Sequence, residues 1–233
     1  MAKSGGPREK SGGPREMRVE RTIAVSIHGR YLVQVPEETA AIPVLVAFHG
    51  YAEDAATALE RVRQIPGSHR WLVVAIQGLH RFYRRRTREV IASWMTQQDR
   101  DLMIVDNVDY VSNVLAAVSG EWPVSGVLVF SGFSQGVATA FRAACRSELR
   151  VRSVISLGGD IPPELDRDAL GRLPTALIGR GDADEWYTAE KYASDQSRLA
   201  DAGVRVTVCQ LTAGHEWTPE FSRLAGDFLA HVK

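Results

Sequence analysis

The chain of 233 residues balances 28 Lys and Arg against 28 Asp and Glu, with 45% hydrophobic and 24% charged residues. This is the composition of one ordinary globular domain, and its neutrality argues against nucleic-acid or bulk membrane partners. No apolar run approaches the roughly 20 residues that cross a bilayer, and no signal-peptide-like segment opens the chain, so a cytoplasmic protein is the expectation.

Residues 3–9, Lys-Ser-Gly-Gly-Pro-Arg-Glu, are repeated at 10–16. With almost no apolar side chains, residues 1–18 are expected to form a disordered tail, leaving 19–233 as a single folded domain. Residues 22–27 and 30–35 flank His28-Gly29, a two-residue turn signal, and predict an antiparallel hairpin. The apolar run 43–48 reads as a strand buried on both faces. A helix is predicted over 54–64, capped by Asp54 and stopped by Pro66, followed by a buried strand at 71–76. The basic and aromatic stretch 81–88 reads as a solvated loop before an anion-binding patch. Leu102, Val105, Val108, Val111, Leu115 and Val118 recur at helical spacing and predict an amphipathic helix over 101–118.

A strand at 126–130 is then followed by Gly132-Phe-Ser-Gln-Gly136 and a small-residue helix at 137–145. Strands at 151–157, 174–178 and 204–209 and helices near 187–201 and 218–231 complete the chain. Such alternation predicts a mostly parallel sheet with helices on both faces, whose function gathers beyond the carboxyl ends of the strands. Cys145 and Cys209 fall in buried elements and are expected as free thiols.

A serine between glycines at a strand-to-helix turn is a nucleophile elbow, which holds the hydroxyl out at the top of the sheet. Ser134 is therefore the candidate nucleophile. Its base must come later in the chain. His215, between the last strand and the last helix, fits; His231, on the final helix, fits poorly. The acid belongs in the loop after 174–178, where Asp182, Asp184 and Glu185 compete and spacing does not separate them. An oxyanion hole needs two backbone N–H groups. Gln135, directly after the nucleophile, supplies one, and Tyr51 in the loop after 43–48 supplies the other. His49 reads as structural. This chemistry needs neither metal nor organic cofactor.

Phe48-His-Gly-Tyr51, the Gly132–Gly136 motif, Leu157-Gly-Gly-Asp-Ile-Pro162, Arg180-Gly-Asp-Ala-Asp184 and Gly214-His215 together resemble the phospholipase/carboxylesterase family of α/β-hydrolases, which includes acyl-protein thioesterases and small bacterial carboxylesterases. The resemblance runs from about residue 23 onward. It implies an α/β-hydrolase fold and a serine carboxylesterase. Within the acid loop it selects Asp184, and it places Trp94, in Ser93-Trp-Met95, at the acyl pocket. Arg180 stands where the family has histidine, and Tyr187-Thr188 where it has Val-Pro. The implied partner is a small-molecule ester, with a homodimer left open. A thioesterase or lysophospholipase would use the same residues. A non-catalytic binding protein is the remaining alternative, against which the intact Ser, acid and His set stands.

Overall fold

Short apolar runs alternating with amphipathic helices have one economical arrangement, a sheet kept dry on both faces by flanking helices. The computed structural model describes residues 17–37 and 40–232. The duplicated segment at 3–16 lies outside them. Its strands are β1 (Arg30–Gln34), β2 (Ile42–Phe48), β3 (Leu72–Gln77), β4 (His80–Tyr83), β5 (Val90–Ser93), β6 (Val124–Phe133), β7 (Ser153–Leu157), β8 (Thr175–Gly181) and β9 (Arg205–Leu211). Seven of them form one sheet in the order β1-β3-β2-β6-β7-β8-β9, and β4 and β5 pair separately. Only β1 is antiparallel to its neighbour in the large sheet.

Side-chain alternation sorts the core into two layers. Val44, Val46, Phe48, Leu72, Val74 and Ile76 pack on one face, beneath α2 (Arg100–Glu121), α3 (Gln135–Arg146), α4 (Arg167–Leu170) and α5 (Ala189–Asp201). Leu45, Ala47, Val73 and Ala75 pack on the other, beneath α1 (Ala55–Arg63) and α6 (Pro219–Leu229). Asp54, Thr188 and Thr218 cap α1, α5 and α6 by accepting from the amide three residues on, which sets where each helix starts.

Three expectations need correcting. The hairpin across His28-Gly29 does not form: residues 22–29 take no regular structure, with Ile23, Val25 and Ile27 exposed. Instead β1 adds to the edge of β3, pairing Tyr31 with Ile76 and Val33 with Val74. An isolated two-stranded ribbon is marginal in water, whereas the edge of a packed sheet supplies both a ladder and apolar neighbours. Gly29 serves a close approach rather than a turn: a Cβ there would collide with the ring of Tyr110, whose hydroxyl donates to the Arg30 carbonyl at 2.9 Å.

The second correction concerns α2, whose buried stripe is Ile104, Asn107, Val111, Val114, Leu115 and Val118, while Leu102 and Val105 are exposed. By length and composition alone this helix would suffice to cross a membrane. Here that stripe packs into the sheet, and Asp101, Asp109 and Glu121 point outward. Third, residues 81–88 are not simply a loop, because they include β4 and the turn joining it to β5.

Both cysteines are free. Burial pushes the Cys145 thiol up to about 12 and that of Cys209 up to about 11. Thiolate is the reactive form. At pH 8 the folded protein is therefore expected to resist a thiol-specific reagent for hours, and to label at both positions within minutes in guanidinium chloride. Rapid labelling of Cys145 in the native protein would contradict the packing of α3.

Candidate active site

The chain crosses over at the centre of the sheet: from β2 it moves outward to β3, then returns to the other side of β2 as β6. The loops leaving β2 and β6 therefore part, opening a crevice at their carboxyl ends. Ser134 sits at that point, between β6 and α3, with φ 53° and ψ −123°. Few residues with a side chain tolerate such a backbone. It is held by the Ser134 amide, which donates to Leu157 O at 3.0 Å, and by the passage of α3 close across the end of β2. A Cβ on Gly132 would come within 2.7 Å of Gly136 O, and one on Gly136 would strike the Phe48 carbonyl and approach His49 O to 2.6 Å.

Two later loops bring the remaining groups to the same edge. His215 Nε2 lies 2.8 Å from Ser134 Oγ, and His215 Nδ1 lies 2.8 Å from Asp184 Oδ2. The other Asp184 oxygen accepts from the Trp186 and Tyr187 amides, each at 2.9 Å, and the carboxylate is buried. Of the three acids left open by spacing, Asp184 meets the histidine. Asp182 is exposed and accepts from the Ala213 amide at 3.1 Å, tying the two loops together, and Glu185 is exposed. His231, two residues past the end of α6, bonds back to Asp227 O in that helix. Phe133 packs beside the His215 ring at 5.1 Å, and the Arg61 guanidinium lies 4.3 Å over Phe133.

Arg180 and Tyr187 have defined work in the loop of Asp184. Buried Arg180 donates from Nε to Tyr187 O at 2.7 Å and from Nη2 to Asp182 O at 3.1 Å, gathering the loop around one fork of donors. Tyr187 donates its hydroxyl to buried Asp195 at 3.0 Å, and the Ile161 amide reaches the same oxygen at 2.9 Å.

Tyr51 and Gln135 both line the cleft beside Ser134, and neither amide has an acceptor among the described residues. The surrounding loop is fixed from three sides. Glu53 accepts from the Gly50 amide at 2.6 Å and from both terminal nitrogens of Arg61, at 2.7 and 2.9 Å. Burial would push the Glu53 carboxyl up, but Arg61 outweighs it and holds the group below its ordinary value. Buried His49 donates from Nδ1 to Gly50 O at 2.6 Å and accepts from the Gly78 amide at Nε2 at 2.9 Å. Those partners require the neutral ring with its proton on Nδ1.

Trp94 is placed differently from the expectation. It is fully buried beneath the cleft, where its indole N–H donates to His49 O at 2.9 Å and its ring stacks on His49 at 5.0 Å. It supports the loop of Tyr51 from below, and Met95, the next residue, lines the cleft. The Gln135 side chain completes this underside, accepting from the Trp94 amide at 3.0 Å and donating to Met95 O at 3.1 Å. The sequence points to the Gln135 amide alone; the signal for this second role is a side-chain carboxamide, which can donate and accept at once. The cleft is about 670 Å³, bordered by Tyr51, Met95, Arg100, Arg142, Trp186 and Lys191. No group of three or more His, Cys, Asp or Glu among the described residues is placed to hold a metal ion.

No protein-family profile matches the chain, and no curated protein is similar to it in sequence. Solved structures do match. Esterase PE8 superposes with a TM-score of 0.70 at 19% identity, covering 89% of this chain and 100% of that one. Acyl-protein thioesterase 2 of Zea mays gives 0.69 at 18%, covering 87% and 98%, and the Bacillus cereus carboxylesterase gives 0.68 at 17%, covering 87% and 93%. The chain has the α/β-hydrolase fold.

Two outcomes follow from this geometry. Gly136→Ala, forced against backbone carbonyls, is expected to destabilise the protein by about 3 kcal/mol or more, whereas Gly120→Ala, in open space on α2, gains up to about 1 kcal/mol from helix propensity; thermal and urea unfolding measure both. Burial lowers the pKa of His49 below the ordinary 6.5. The unfolded chain then binds the proton first, so this contribution is intact above that value and is lost as pH falls from it toward the folded pKa, by at most about 1.4 kcal/mol per pH unit. His49→Gln has no such proton to bind and should show a shallower fall in unfolding free energy between pH 7 and 5.

Proposed function

We propose that the protein is a serine hydrolase that cleaves carboxylic esters through Ser134, His215 and Asp184. The observation that carries this reading is the unbroken run of 2.8 Å contacts from Ser134 Oγ through His215 to Asp184, beside two uncommitted amides at Tyr51 and Gln135. His215 takes the Ser134 proton as Oγ attacks the ester carbonyl. The negative charge that develops on the carbonyl oxygen is met by the amides of Tyr51 and Gln135, which need no rearrangement to donate. His215 passes the proton to the leaving alcohol, and the acyl group stays on Ser134. Water, deprotonated by His215, then attacks the acyl carbonyl; the bond to Ser134 Oγ breaks, the acid leaves, and His215 returns the proton to Oγ. Asp184, fixed by the Trp186 and Tyr187 amides, keeps the His215 proton on Nδ1 and stabilises the imidazolium that forms in each half of the cycle. The esterases and the thioesterase among the structural neighbours support the class of reaction.

Hydrolysis of p-nitrophenyl esters from acetate to palmitate tests the proposal. Ser134→Ala is expected to lower kcat by about a thousandfold or more, and Asp184→Asn by tens to thousands-fold. Asp182→Asn should stay within a few-fold of the parent protein. A folded protein that turns over none of these esters, or an active Ser134→Ala, would overturn the assignment.

A further inference from the structure

Ser134, immediately before α3, and Ala138 and Arg142 on it follow one another at four-residue spacing, and all three line the cleft. They form one face of the helix, about 12 Å from end to end at 1.5 Å per residue. Helical side chains lean toward the N-terminus, so Arg142 leans toward Ser134, and Ala138 leaves the space between them open.

Arg142 is an unusual residue to place there. Its side chain is only 3% exposed, and a guanidinium carries five N–H donors. Nε donates to Glu164 at 2.7 Å. Nη1 faces only the Met95 sulfur at 3.7 Å, and Nη2 has no acceptor among the described residues. Nη2 is not among the sealed, unpartnered polar atoms of the described residues, and Arg142 lines the cleft. Glu164 is shared, because it also accepts from Arg100 at 3.4 Å; the other carboxylate near Arg100 is the fully exposed Asp101 at 4.0 Å, where solvent screens the pair. Burial would raise the Glu164 carboxyl, yet the two arginines pull it down to about 2, so it remains an anion committed to them. Lys191 adds a third cation at the rim, paired with Asp160 at 3.7 Å. Burying a guanidinium with its fork unpaired is costly, and a planar oxyanion is the partner that fits that fork with two parallel hydrogen bonds.

We infer that Arg142, assisted by Arg100, forms a subsite for an anionic group on the substrate, so that the preferred ester carries a carboxylate or phosphate a few bonds from its reacting carbonyl. This rests on the proposed ester hydrolysis. The shared chemistry is an oxyanion on a short chain whose other end reaches Ser134.

The test compares p-nitrophenyl monoesters of glutaric and adipic acid with neutral p-nitrophenyl esters of equal chain length, and with an analogue ending in phosphate. A preference of tenfold or more in kcat/KM for the charged esters, arising in KM, is expected. Arg142→Gln should reduce the charged-to-neutral ratio about tenfold, and Arg100→Gln should reduce it less. Whichever of the carboxylate and phosphate series is favoured identifies the anion. Titration calorimetry of glutarate, adipate and a short alkyl phosphate into Ser134→Ala, with and without Arg142→Gln, reads the subsite independently of turnover. Binding that is lost with Arg142→Gln supports the subsite even if no ester is hydrolysed, a result that would sink the hydrolase reading alone. Ester turnover that depends on Ser134 but shows no preference for charge, together with no measurable anion binding, overturns the inference and leaves the hydrolase reading standing.

Discussion

The passage of α3 across the end of β2 is the constraint on which the site depends. Because Gly136 lies against the Phe48 and His49 carbonyls, the chain must leave β6 through a turn too tight for ordinary backbone angles, and Ser134 absorbs the difference at φ 53°. The same contact brings the first residue of α3 beside the loop that leaves β2. Among the described residues the Gln135 amide is left without an acceptor, and its side chain reaches the backbone of residues 94 and 95. Enlarging one hydrogen atom on Gly136 to a methyl would therefore disturb strand pairing, the serine backbone and the underside of the cleft together.

Around this crossing the structure spends its buried polar groups on holding loops rather than on the sheet. His49, Glu53 and Arg61 fix the loop of Tyr51, while Arg180, Tyr187 and Asp195 fix the loop of Asp184. Each buried charge or ring nitrogen has named partners, as burial requires. Arg142 is the departure, with its fork facing a cleft instead of an oxygen, and for that reason it bears on what enters the site.

Much of this was legible in the sequence because it rests on local pattern. Strands buried on both faces announce themselves as short apolar runs, and the elbow as a serine between glycines with a strand before it and a helix after. Legibility ended where tertiary contact decides. Spacing did not separate Asp182 from Asp184, since both lie in one loop; the resemblance selected Asp184, and the fold shows the contact, with an Asp184 oxygen 2.8 Å from His215 Nδ1. The resemblance put Trp94 at the acyl pocket, but its indole N–H finds an acceptor at His49 O below the cleft. Residues 22–29 carried a genuine turn signal that lost to the free edge of β3. The β4–β5 hairpin was hidden by its arginines, which mark solvent exposure and say nothing of backbone pairing.

The parallel pairing of β2 with β6 joins residues far apart in the chain, as Phe48 opposite Gly132 shows, and His215 follows β9, the outermost strand on that side. This has a consequence for the order of assembly. Parallel strands must wait for their crossovers, and contacts of such sequence separation are closed late and slowly. During synthesis the serine turn is made some eighty residues before the histidine that meets it. A nascent chain can therefore hold the Ser134 turn and the centre of the sheet before His215 has been made. The Ser134–His215 contact waits on the segment after β9, the edge strand on that side of the sheet.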